Sequence, residues 1–415
     1  MNDDSLLWIP LTDWATPSQR QRIQQIWSQP RLKIVVDLLA QIDVRCLIVG
    51  GIVRDVLLNR QSNDIDLVVY CSPERLLALQ AYLAEKTGGT AVTLDSDRGT
   101  VRLCFSDGDE LDLVSIQGQS LSNDLLRRDL TINAITVDSD GALTDPCQGR
   151  EDLRLGSLRA VREENLSDDP LRVIRCLRFA AQLDFDIDST TWARMQEAKL
   201  LLDRVAGERI QSELRKFFES AGDSQLQRLV DLSLAECLFG LSDSGQKELL
   251  LQARGNGVLG FAPGLAIWLG SVGNKKDRTA VFDRLRLARK DQRFVSHWWD
   301  ALGWLGGRAD LSLDQIFELS RVAGPAFLSV ASTLQCSVFP SDLSESVKAQ
   351  VLREAQGQGE LNWSALPWNG HQLAESMDRS PGPWLGEALR RIELEWACNR
   401  ISTLEEAREL SRREG

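Results

Sequence analysis

Residues 49–66 read Val-Gly-Gly-Ile-Val-Arg-Asp-Val-Leu-Leu-Asn-Arg-Gln-Ser-Asn-Asp-Ile-Asp. This segment constrains the fold more than any other. The apolar run Arg45–Val49 ends on the pair Gly50-Gly51, and a helix-length stretch carrying Arg54 follows. Asn59 stands where that helix must stop, because Asn tolerates the left-handed conformation that ends helices. The run Ile65–Tyr70 then reads as a second strand. Glycines at a strand-to-helix turn let the backbone approach a phosphate, and the start of the helix adds N–H donors. Arg54, about one turn in, can reach the same anion with a forked donor set. Taken alone, the glycine pair reads first as a tight strand-to-helix turn.

Asp64 and Asp66 decide between those readings. On a strand, residues i and i+2 share a face, so both carboxylates point the same way. Two like charges together are costly unless a cation lies between them. Magnesium prefers carboxylate oxygen and keeps room for phosphate. Two such ions can activate an attacking hydroxyl and stabilise departing pyrophosphate. Asp-x-Asp by itself is also the pattern of a solvated edge strand. With Gly50-Gly51 and Arg54 upstream, it becomes a site for nucleotidyl transfer.

The chain has 415 residues, enough for two to four domains. Hydrophobic residues are 43% and charged residues 26%, ordinary for a globular protein. Its longest apolar runs are too short to span a bilayer, and Met-Asn-Asp-Asp-Ser at the start lacks a signal-peptide pattern. Eight scattered cysteines with no Cys-x-x-Cys argue for reduced thiols and a cytoplasmic location. Only His297 and His371 are present, which argues against a histidine-rich metal site. The net charge of −12 argues against non-specific nucleic-acid binding but leaves room for a local basic groove.

Helical periodicity over 17–43 is broken at Pro30. Arg45–Val49, Ile65–Tyr70, Val101–Phe105, Leu111–Ile116 and Asn133–Val137 read as strands, with a helix over Pro73–Lys86. After about 150 strand signals mostly vanish. Helices are predicted at 168–182, 189–202, 207–220 and 223–237, and more weakly at 276–303, 311–321, 344–356 and 383–397. Gly255–Gly264 and Gly303–Gly307 read as helix connections. The expected class is α+β: a helical segment over 1–44, a mixed-sheet catalytic head over 45–150, then an all-helical neck (151–220), body (221–330) and tail (331–415).

Three further motifs carry chemistry. Asp112 lies opposite in alternation to Leu111 and Leu113, and a third carboxylate there could accept or orient a hydroxyl proton. Arg127-Arg128-Asp129-Leu130-Thr131-Ile132-Asn133 is dense in groups suited to ribose and triphosphate, or to a surface ion-pair cluster. Asp169 and Arg172 are three apart on one expected helix face and could read the edge of a nucleobase. Arg175 and Arg178 continue that spacing, either along an RNA path or paired with nearby acids.

With these motifs in place, the chain resembles the bacterial-type (class II) tRNA nucleotidyltransferase and poly(A) polymerase family over roughly 45–220. Gly50-Gly51-x-x-Arg54-Asp55, Asp64-x-Asp66, Arg127-Arg128-Asp129-x-Thr131-x-Asn133-Ala134, Asp145-Pro146 and Asp169-x-x-Arg172 stand in the family's order. A weaker echo stands at Pro381-Gly382-Pro383. The resemblance implies a DNA polymerase beta-like nucleotidyltransferase head and magnesium-dependent addition of CMP or AMP, from CTP or ATP, to the 3′ end of tRNA without a template. It implies Asp64 and Asp66 as metal ligands, with Asp112 as the third catalytic acid. It implies Gly50, Gly51 and Arg54 at the triphosphate, and Arg128, Asp129 and Asn133 at sugar and phosphate. Asp169 and Arg172 would select the base, with Arg175 beside them.

Three departures from the family pattern stand out. Asp168 replaces the usual Glu, Gln117 replaces an Arg, and only 14 residues separate Asp112 from Arg127. A stretch this short is a feature of the CC-adding branch, so addition of CC, with terminal A left to another enzyme, is expected. Full CCA addition, A addition and poly(A) synthesis are the near alternatives. An inactive RNA-binding homologue and a small-molecule nucleotidyltransferase are the distant ones.

Overall fold

A computed structural model describes residues 6–61, 64–118, 120–241, 247–257, 259–270, 275–305, 311–319, 321, 345–355, 358–362 and 364–412. The opening residues 1–5, the end of the Gly303–Gly307 break, the 330/331 boundary, position 320 of the helix expected at 311–321 and both ends of the one expected at 344–356 lie outside the described residues. The chain divides into two compact units, Met1–Val205 and Ala206–Gly415.

The first unit opens with helices α1 (Leu11–Trp14), α2 (Pro17–Trp27) and α3 (Pro30–Gln41). Thr16 and Gln19 cap α2 reciprocally, and prolines occupy the first positions of α2 and α3, where a missing N–H costs nothing. Then come β1 (Cys46–Val49), α4 (Gly51–Leu57), β2 (Ile65–Val69), α5 (Pro73–Thr87), β3 (Thr90–Asp95), β4 (Thr100–Cys104) and β5 (Glu110–Ser115). After them stand α6 (Leu121–Leu125), β6 (Thr136–Val137), β7 (Leu143–Thr144) and α7 (Gly149–Leu155). The sheet runs β3-β4-β5-β2-β1-β6-β7. Among the described residues of this sheet, only β2 and β5 pair in parallel. A parallel pair needs a long crossover, which α5 and the β3–β4 hairpin supply.

Alternation sets the two faces of this sheet. Leu67, Val69, Val101, Leu103, Leu111 and Leu113 are buried on one side. The other side carries Leu47, Val49 and Val68, packed with Leu121 and Leu125 of α6. Further along that second side, the register places Asp66 opposite Asp112, and Asp112 opposite Arg102. The polar row therefore sits at the edge of an apolar floor.

Two expectations are corrected here. The run Asn133–Val137 is not one strand: Thr131–Asn133 is a single 3-10 turn and only Thr136–Val137 pairs. β3 was not expected, because it is an edge strand whose residues are mostly exposed and so carry no apolar signal.

The unit closes with β8 (Ser157–Leu158), α8 (Glu164–Asp168), α9 (Leu171–Leu183), β9 (Asp186–Ile187) and α10 (Ser189–Ala198). The short parallel pairing of β8 with β9 interrupts an otherwise helical stretch. The helix expected at 168–182 splits, because Pro170 pushes the preceding residue out of the helical region. Asp169 is accordingly extended, at φ −134° and ψ 92°.

Among the described residues of the second unit the regular elements are all helices, beginning with α11 (Gly207–Ser220). Its core includes Phe217, Phe218 and Trp268. Gly264 lets Phe218 approach: a Cβ there would stand 2.4 Å from the ring. A separate cluster of Leu373, Ala388, Ile392 and Ala407 joins the last helices.

Candidate active site

β1 delivers the chain to Gly50, which adopts φ 77° and ψ −127°. That conformation is essentially restricted to glycine. The Gly50 N–H donates to the carbonyl of Ile135 at 3.1 Å. A Cβ at Gly50 would lie 3.3 Å from Nη1 of Arg128 and 3.8 Å from Oδ2 of Asp66. The glycine turn, Arg128 and Asp66 are thus gathered at one point, although their sequence positions span three motifs.

Arg54, one turn into α4, donates from Nη1 to Oδ1 of Asn133 at 2.8 Å and from Nε to Asp55 at 3.0 Å. Asn133 Nδ2 donates to Oδ1 of Asp129 at 3.0 Å. Arg175 closes the line with two bonds to Oδ2 of Asp129, at 2.8 and 2.6 Å. Asp129 is buried, and burial alone would raise its pKa. Arg175, Asn133 and the Leu130 N–H overrule that cost and hold the carboxyl well below its ordinary range. The Phe179 ring forms the wall behind this line, with guanidinium carbons of Arg54, Arg175 and Arg178 at 5.1, 5.4 and 3.9 Å from its centroid. Arg178 is itself buried and donates to Gln182, so it does not lie on a surface path.

Arg128 spends Nε and Nη2 on Oδ2 of the buried Asp124, at 3.3 and 3.1 Å. Its Nη1 is the edge that faces Gly50. Arg172 donates to the carbonyls of Arg127 at 2.7 Å and Asn165 at 3.1 Å. Asn165 Nδ2 binds the carbonyls of Leu126 and Arg128. Together they hold the Leu126–Arg128 backbone in place. Asp169 is not on a helix face with Arg172; it precedes the helix, and its carbonyl accepts the Arg172 N–H at 3.0 Å. Asp168 is exposed at the end of α8.

The three acids differ in their surroundings. Asp112 is held by a bidentate ion pair with Arg102, at 2.7 and 2.9 Å. Asp64 is exposed just before β2. Asp66 is largely buried, and neither it nor Asp64 accepts a hydrogen bond from a side chain among the described residues. The Asp66 carboxyl is pushed up to about 6, by burial first and then by Asp112 and Asp64, against the pull of Arg128 and Arg102. Two adjacent carboxylates without donors, one of them desolvated, are the ligand chemistry of a hard cation. No group of three or more His, Cys, Asp or Glu that could hold a metal occurs among the described residues, so substrate oxygens would have to complete the coordination.

The short stretch between Asp112 and Arg127 folds as the end of β5, a connection over 116–120 and α6, with Gln119 outside the described residues. Gln117 ties it down: its N–H donates to Asp124 and its side chain to the carbonyls of Arg98 and Ser115. The sequence reading missed Asp124, Arg102, Asn165 and Phe179. The i, i+4 spacing of Asp124 and Arg128 was available as a signal. The Arg102–Asp112 pairing depends on hairpin register and was not.

The profile of the poly(A) polymerase head domain matches residues 46–159, and that of the probable RNA and SrmB-binding site of polymerase A matches 184–242. A CC-adding tRNA nucleotidyltransferase of Geobacter sulfurreducens is 42% identical over 173 residues, 41% of this chain and 40% of the relative. That of Synechocystis is 38% identical over 190 residues, 45% of each. The chain thus matches less than half the length of these two relatives. A CCA-adding enzyme of Streptococcus pyogenes serotype M4 is 35% identical over 377 residues, covering 83% of this chain and 87% of the relative. Among solved structures, a CCA-adding enzyme with CTP shares the fold at a TM-score of 0.69 and 23% identity, covering 94% of this chain and 95% of the other. With a relative at this identity matched over most of its length, the chain belongs to the family of CCA-adding and CC-adding tRNA nucleotidyltransferases.

Proposed function

We propose that the protein adds CMP from CTP to the 3′ end of tRNA, releasing pyrophosphate, and stops after CC. The observation that carries nucleotidyl transfer is the meeting of Gly50, Asp66 and the free edge of Arg128 at one point. Similarity to CC-adding and CCA-adding relatives supports tRNA as acceptor. The short, tied-down stretch before Arg127 supports the CC product.

Asp64 and Asp66 would hold magnesium. When bound there, two such ions would polarise the attacking hydroxyl and neutralise the departing pyrophosphate. The chain's own groups do the rest. The Gly50-Gly51 backbone and Arg54 bind phosphate oxygens, with Asn133 fixing the guanidinium. Arg128 presents Nη1 to the same phosphates while Asp124 holds its other edge. Asp129 keeps Arg175 and Asn133 in register, as a positioning residue. Asp112 orients the acceptor hydroxyl and is itself set by Arg102. Asp169 and Arg172 meet the base edge, where the Arg172 guanidinium is fixed by carbonyls of the Arg127–Arg128 backbone. The division into head (45–150), neck (151–220), body (221–330) and tail (331–415), and a cytoplasmic location, belong to the same proposal. No helix among the described residues is long and apolar enough to cross a membrane.

The test is incubation of purified protein with tRNA lacking CCA, together with CTP and ATP. The expected product ends in CC, with no AMP incorporated. A product ending in CCA overturns CC specificity and leaves full CCA addition; a homopolymer of A replaces both with poly(A) synthesis.

A further inference from the structure

The turn between β3 and β4 is unusually well seated for a surface hairpin. Arg98 N–H donates to Asp95 at 3.0 Å, and the Arg98 carbonyl accepts from Ser115 Oγ at 2.9 Å and from Gln117 Nε2 at 2.8 Å. Gly99 adopts φ +58°, and a Cβ there would meet Pro73 Cα at 2.5 Å and Ser115 Oγ at 3.0 Å. Its carbonyl also accepts the Ser115 N–H at 3.0 Å. The backbone of Arg98 is therefore fixed from beneath while its side chain remains 59% exposed. Its ion-pair contact with Asp95 is long, 3.8 Å, and exposed, so it contributes little.

Arg98 also stands near the site's other cations. The Arg172 guanidinium is held below its ordinary pKa by burial first, and repulsion from Arg98 and Arg175 adds to this against the pull of Asp129 and Asp169. Like charges brought together are costly unless an anion lies among them.

Register separates this place from the Gly50 cradle. In the parallel pair, Asp112 stands opposite Asp66, and Ser115, the seat of Arg98, stands opposite Val69. Three residues of strand are roughly 10 Å, and the odd offset turns Ser115 to the sheet face away from Asp66 and Asp112. Arg98 is thus displaced along the sheet from the Gly50 cradle where a triphosphate would sit. Gln117 links the two places, because its N–H binds Oδ1 of Asp124, whose Oδ2 holds Arg128.

We propose that Arg98 is a further substrate-binding residue, presented by the Ser115–Gln117 seat to a phosphodiester of the RNA 3′ strand. This rests on the reading of an RNA 3′ end as acceptor. Gln117 acts through Arg98 as a positioning residue.

The test compares full-length wild type, R98A, R98K and Q117A, with tRNA lacking CCA and CTP varied separately. R98A is expected to raise KM for RNA by about 5- to 20-fold and to flatten the log–log salt dependence of RNA binding by about 0.7. KM for CTP stays near wild type, R98K recovers most of the loss, and Q117A weakens RNA in the same sense without adding to R98A. An unchanged KM and salt slope for RNA, or a loss confined to CTP, overturns the proposal. A wild type that binds RNA without extending it refutes the functional reading instead, and the salt slope then still decides Arg98.

Discussion

Asp66 carries more unfavourable free energy than its partners in the site. Its carboxyl is shifted up to about 6, chiefly by burial and then by the charges of Asp112 and Asp64. An acid whose folded pKa is raised binds its proton more tightly in the fold than in the unfolded chain. Stability is then untouched below the unfolded pKa near 4, falls as pH rises from about 4 to about 6, and stays reduced above. Asp66→Asn removes that cost, so metal-free protein in EDTA should gain about 1–3 kcal/mol at pH 7.5 and nothing below pH 4. Thermal denaturation at the two pH values measures this. Millimolar magnesium should raise the melting temperature of wild type and not of the variant; an equal rise in both would remove Asp66 from the metal site.

Asp129 shows the opposite arrangement. It too is buried, yet Arg175 and Asn133 hold it ionised. Two carboxylates in one site are thus separated in character by their donors. The sequence made both visible as acids but gave no sign of which had a partner, since Arg175 comes from a helix 46 positions further on.

At the scale of elements, the turn at Gly50 is the part most exposed to substitution. Its φ of 77° with ψ of −127° is strained for any side chain, and a Cβ would press on Arg128 Nη1 at 3.3 Å. Gly50→Ala should cost about 1–3 kcal/mol in stability. Because the methyl would intrude where the proposed function places phosphate, kcat/KM for CTP should fall by about 100-fold or more, an effect of the size that small misplacements produce. Urea unfolding and steady-state incorporation check the two parts separately. A variant with wild-type kcat/KM would mean that phosphate does not sit at this turn.

Elements with strong local signals were legible. The helix at 207–220 and the break at Pro30 follow from periodicity and proline chemistry. β3 was not, because an exposed edge strand lacks alternation. Asp169 was misplaced onto a helix face, although the proline after it was the available signal.

For the whole chain, the net charge of −12 sits beside a site rich in arginine, with Arg54, Arg128, Arg172 and Arg175 in the first unit. Binding of a polyanion must therefore depend on local charge. The affinity for tRNA should fall by about 10- to 100-fold between about 50 and 200 mM monovalent salt, as expected for several neutralised phosphates. Fluorescence anisotropy with labelled tRNA measures this, and a flat profile would mean that the acceptor is not held through its backbone.

Local sequence marks the candidate site residues and the elements that present them. Gly50-Gly51, Arg54 and Asp64-x-Asp66 lie within one strand–turn–helix–strand segment, where dihedral preference and strand periodicity place each side chain. Which partner each of these groups meets follows from long-range packing. Asp112 is paired with Arg102, Asp129 with Arg175 and one edge of Arg128 with Asp124, while Asp66 accepts no side-chain hydrogen bond among the described residues. Those outcomes depend on sheet register and on the packing of α6 and α9 elements, contacts between residues distant in sequence, and short-range spacing does not encode them.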